Sequence, residues 1–76
     1  MSKSLPTLSS REVIAALKKV GFSEVASRGK GSHVFMYRAE LPKGITVPKQ
    51  KVIKRGTLRA IIRQADLTVE EFLALL

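Results

Sequence analysis

The apolar residues of this chain change their repeat twice, and that switch limits the folds open to it. Val13, Ile14, Leu17 and Val20 recur at helical spacing, as do Leu58, Ile61, Ile62 and Ala65. Between them, SHVFMYRA (32–39) sets β-branched and aromatic residues between turn signals, the mark of a strand. Its alternation puts His33, Phe35 and Tyr37 on one face and Val34 and Met36 on the other. Both faces read as apolar, so the core side is open. SEVASR (23–28) is a candidate first strand and ITVP (45–48) a third, ending at Pro48. GKG (29–31) and ELPKG (40–44) turn the chain between them.

The helix ends carry their own signals. Ser9 and Glu12 have the spacing of a capping box, in which each side chain satisfies the other's backbone N–H. Lys18 and Lys19 suit the negative end of that helix, and Gly21 supplies a left-handed stop. Gly56 or Thr57 is expected to cap the second helix, TLRAIIRQA. Thr68 and Glu71 form another capping box ahead of FLALL, a short last helix. The order is α-β-β-β-α plus a terminal helical turn. This predicts an α+β fold, a three-stranded antiparallel sheet with amphipathic helices covering one face. One domain spans 1–76, with residues 1–8 expected as a flexible N-terminal extension.

A chain of 76 residues buries only about 60% of its unfolded surface, so stability should be modest. It has no cysteine, which excludes disulfides and thiolate metal sites and fits a reducing, cytoplasmic setting. MSKSLPTLSS lacks the apolar stretch of a signal peptide, and no apolar run nears the ~18 residues that would span a bilayer. Charge points to a partner. The formal net charge is +8, and residues 28–63 hold ten basic side chains against one acid, Glu40. A localised positive field of this kind suits a polyanion, and its placement in strands and loops favours nucleic acid over lipid.

Asp66, Glu70 and Glu71 cluster, but no second histidine or cysteine is present to complete a transition-metal site, so no metal or small-molecule cofactor is expected. GKGSH is too short for a nucleotide-binding loop, and a strand follows it. Lys51, Lys54 and Arg55 precede a helix start near Thr57, whose free N–H groups suit phosphate. The chain's single histidine, His33, opens a strand beside glycines and inside the basic segment. RNA cleavage without a metal needs a base near neutrality to take the 2′-hydroxyl proton, a task suited to imidazole. Arg28 and Lys30 are placed to stabilise the phosphorane.

VIAALKKVGF, then GSH opening a strand, then TVP, then KRGTLRAIIRQADLTVEEF resemble the HicA toxins, or YcfA-like mRNA interferases, from about Arg11 to Phe72. The resemblance implies a fold similar to a double-stranded RNA-binding domain and an endoribonuclease that cleaves mRNA and blocks translation. It implies that His33, from the GSH motif, is catalytic, and that a cognate HicB-type antitoxin covers the site. Where many relatives carry a further histidine after the VP strand, this chain has Lys49, so Lys49, Tyr37 or solvent is left to protonate the leaving oxygen. Candidate RNA contacts are therefore Arg28, Lys30, Ser32, Lys49, Lys51, Lys54, Arg55 and Thr57, with Tyr37 for base stacking. The alternative is a non-catalytic double-stranded-RNA-binding module of the same fold, reading duplex shape and phosphates.

Overall fold

The computed structural model describes residues 5–25, 31–40 and 43–76. Its elements are α1 (Ser10–Lys19), β1 (Ser23–Glu24), β2 (His33–Arg38), β3 (Lys43–Pro48), α2 (Arg55–Gln64) and α3 (Val69–Leu73). The sheet order is β1-β2-β3, antiparallel throughout. The expected α-β-β-β-α order therefore holds, with α3 as the terminal turn.

Both capping boxes form. Ser9 N–H donates to Glu12 Oε1 at 2.9 Å while Glu12 N–H donates to Ser9 Oγ at 3.3 Å. Thr68 and Glu71 repeat the exchange at 2.8 and 3.0 Å. Gly21 ends α1 at φ +98, open to glycine because it lacks a Cβ. Arg38 is wedged against that end. Its Nη1 donates to Val20 O at 2.7 Å, and its guanidinium lies 5.2 Å from the Phe22 ring centroid. A cation thus meets the negative end of α1 and the face of an aromatic ring.

Cross-strand register decides which sheet face is inside. Met36 pairs with Ile45 and Val34 with Val47, so these four share a face. Met36, Ile45 and Val47 are fully buried with Val13 and Leu17 of α1, Leu58, Ile61 and Ile62 of α2, and Phe72 of α3. His33, Phe35 and Tyr37 share the other face with Pro48, Thr46 and Gly44. The helices therefore pack on one side, and His33 and Tyr37 are exposed on the other. The Phe35 ring lies over Gly44, where an added Cβ would collide with it. Gly44→Ala is expected to displace that ring and cost about 1–3 kcal/mol, read as a lower urea midpoint. An unchanged midpoint would mean that the ring does not rest there.

Four boundaries differ from the sequence-based expectations. Only Ser23–Glu24 of the candidate first strand is strand, with Val25 N–H adding one bond to Phe35 O at 2.8 Å, and residues 26–28 lie outside the described residues. β3 starts at Lys43 because Gly44 pairs with Tyr37 rather than turning. α2 starts at Arg55 with Lys54 as its N-cap, so neither Gly56 nor Thr57 caps it. Leu5 and Leu8 are core residues rather than part of a loose extension. Leu8 bridges Ile53, Ile53 N–H donates to Leu8 O at 2.8 Å, and Arg55 Nε donates to Leu5 O at 3.2 Å.

Candidate nucleic-acid interface

The sheet's hydrogen-bond phase fixes the setting of His33. Lys49 N–H donates to Ser32 O at 2.8 Å, so the Ser32–Lys49 pair is a bonded one. His33 and Pro48, one step along, then form a non-bonded pair. Pro48 has no N–H to offer, and this phase asks for none, which is why a proline fits inside a paired strand here. His33 and Pro48 therefore lie on the same, exposed face of the sheet. Ser32 Oγ lies 3.0 Å from His33 Nδ1.

The same pairing sets Lys49 opposite Ser32, in phase with Val34 and Val47, so its side chain lines the α1 side of the sheet, away from the His33 face. From there residues 49–53 run along the N-terminal segment, where Ser10 N–H donates to Gln50 O at 3.0 Å. Lys49 and Lys51 thereby meet Arg11, and a surface cavity is lined by Ser9, Ser10, Arg11, Lys49, Gln50 and Lys51. An adjoining groove between α1 and the sheet shares Arg11 and Lys49 and adds Lys18, with Ile14 and Val34 among its lining. Lys18 is tied to Glu24 at 2.9 Å. Arg11 and Lys18 were not marked by the local sequence. Their signal is the seven-residue spacing that puts both on one face of α1.

Lys54 and Arg55 stand at the N-cap and first position of α2, and Thr57 is its third residue. No side chain caps this helix and no acid sits in its first turn, unlike α1 and α3. Cations at the positive end of a helix oppose its dipole, and an anion bound there would offset that cost. Part of Arg55 is already spent on Leu5 O.

Of the sequence candidates, the structure sets Ser32 beside His33, and Lys49 and Lys51 together in the cavity shared with Arg11. Ser32 is exposed, with its Oγ 3.0 Å from the imidazole Nδ1. Lys54, Arg55 and Thr57 follow on the same strand-to-helix connection. Tyr37 is 41% exposed on the face of His33 but four residues along β2, about 13 Å away at strand rise. Arg28 and Lys30 lie outside the described residues. No group of three His, Cys, Asp or Glu side chains that could hold a metal occurs among the described residues. Nor is any helix among them long and apolar enough to cross a membrane.

A family model described as the HicA toxin of bacterial toxin-antitoxin matches residues 10–67, a stretch holding every candidate site residue named above. No curated protein matches the chain.

Proposed function

The chain belongs to the HicA family, toxins of bacterial toxin-antitoxin systems, and from that premise we propose that it is an endoribonuclease that cleaves mRNA in the cytoplasm. The observation that carries this reading is an exposed imidazole at the start of β2, its Nδ1 3.0 Å from Ser32 Oγ. His33 takes the proton of a 2′-hydroxyl. The freed oxygen attacks the adjacent phosphorus, and the bond from phosphorus to the 5′-oxygen breaks. The products are a 2′,3′-cyclic phosphate and a 5′-hydroxyl.

Lys49 lines the α1 side of the sheet and joins the cations that hold the flanking backbone, so solvent supplies the proton to the leaving oxygen. Tyr37 is too far along the strand for that step and serves a base farther along the RNA. Arg28 and Lys30 precede His33 in sequence and are assigned to the scissile phosphate. Lys51, Lys54, Arg55 and the helix start at Thr57, joined by Arg11, hold the flanking backbone. A family of toxin-antitoxin toxins implies a partner protein. A cognate HicB-type antitoxin covering His33 and Lys49 would silence the enzyme and compete with RNA for the same cations.

Incubating the purified protein with single-stranded RNA in excess EDTA tests the reading. Shortened RNA is expected. RNA that shifts on a native gel but stays intact would instead identify a binding module with no catalytic step. Cleavage that requires an added divalent ion would exclude His33 acting by this metal-free route.

A further inference from the structure

Ser32 stands next to the proposed base, with its Oγ 3.0 Å from the ring's Nδ1. We propose that Ser32 is a positioning residue: its Oγ accepts the Nδ1–H of His33, which leaves the Nε2 lone pair facing outward as the base. This rests on the ribonuclease reading for its consequence, though not for the hydrogen bond itself.

A neutral imidazole carries one N–H and one lone pair, and it abstracts a proton only through the bare nitrogen. Nδ1 is the nitrogen turned back toward the chain, 3.0 Å from Ser32 Oγ. Nε2, on the far side of the ring, is the one a ribose can reach. A ring that keeps its proton on Nε2 presents a donor to the 2′-hydroxyl where an acceptor is needed. An acceptor at Nδ1 selects the useful tautomer, the task a carboxylate performs in hydrolase triads.

The acceptor is itself held in place. Ser32 O receives Lys49 N–H at 2.8 Å, so the residue is pinned across from β3 although it precedes the strand. Pro48 sits directly opposite His33 on the neighbouring strand. The arrangement also serves the step after proton transfer. The imidazolium has N–H groups on both nitrogens, so the Nδ1–H to Oγ bond persists and nothing has to reorient as charge develops.

Two readouts on the full chain test this. The first is the nitrogen NMR spectrum of the His33 ring without RNA, at a pH where the ring is neutral. The parent should show a protonated Nδ1 and a bare Nε2. Ser32→Ala should move both resonances toward the averaged values of an unconstrained ring, and Ser32→Thr, which keeps the hydroxyl, should hold the parent pattern. The second is RNA cleavage. Ser32→Ala should lower kcat about 3- to 10-fold with KM unchanged, the range of one neutral hydrogen bond, and Ser32→Thr should recover it. A parent spectrum already averaged, and unmoved by Ser32→Ala, would overturn the proposal. A Ser32→Ala loss confined to KM would overturn it as well, because that is the mark of a phosphate contact. If the parent ring is held as described but no RNA is cut, the ribonuclease reading fails and the Ser32–His33 hydrogen bond stands.

Discussion

His33→Ala is expected to lower RNA cleavage by about 10²–10⁴-fold, the usual contribution of a positioned acid or base. The same variant should fold and bind RNA like the parent. His33 is exposed on the open face of the sheet, so its removal leaves no cavity and unpairs no buried group. Substitutions at such positions normally stay within about ±0.5 kcal/mol. The cations of the α1-side cavity, Lys49, Lys51 and Arg11, are untouched, so a gel shift of RNA should keep its affinity and its steep fall with salt. Thermal unfolding, gel shift and cleavage rate measured on one preparation separate the outcomes. Parent-like cleavage by His33→Ala would remove the imidazole from the mechanism. Lost binding or lost folding would show that the residue has a different role.

The largest effect on stability is expected from Phe72→Ala. Phe72 is fully buried, although it sits on α3, beyond the end of the family match at residue 67. Truncating a buried phenylalanine costs about 3–5 kcal/mol. A 76-residue domain has on the order of 4–11 kcal/mol in all. The variant should therefore melt at least about 12 °C lower, and at the lower end of that range it would be largely unfolded at ambient temperature. Residues ahead of the match contribute in the same way, since Leu5 and Leu8 are 1% and 5% exposed. The working fold thus runs past the family-matched segment at both ends. A Phe72→Ala protein melting with the parent would show that α3 does not close this core.

Helix ends were legible because their chemistry is local. Ser9 with Glu12, and Thr68 with Glu71, satisfy each other's backbone within one turn, so three-residue spacing is enough to find them. The α2 start was misplaced because Lys54 caps by backbone conformation alone, with no side-chain signal to read. The inner face of β2 could not be told from β2, where His33, Phe35 and Tyr37 compete with Val34 and Met36. β3 holds the answer: Ile45 and Val47 alternate with Thr46 and Pro48, and antiparallel register passes that choice to β2. Leu5 and Leu8 could not be placed by period at all. Their burial depends on a bridge from Leu8 to Ile53, a contact no local pattern encodes.

The site shows the same division. His33 and the Lys49–Arg55 run were visible as residue types in a basic segment. What brings Arg11 to Lys49 is the Ser10 to Gln50 hydrogen bond, which joins distant parts of the chain. The role of Ser32 was equally hidden, because a serine before a strand reads as a turn residue until its hydroxyl is seen 3.0 Å from the ring.

Chemical analysis of the cut ends probes the proposed reaction most directly. Attack by a 2′-oxygen under an imidazole base leaves 2′,3′-cyclic phosphate on one fragment and 5′-hydroxyl on the other. Those termini are expected from the parent in EDTA, and a substrate with 2′-deoxyribose at the cleaved position should not be cut. Fragments ending in 3′-hydroxyl and 5′-phosphate, or cleavage that survives the 2′-deoxy substitution, would mean that water rather than the ribose attacks and that His33 does not do the chemistry assigned to it.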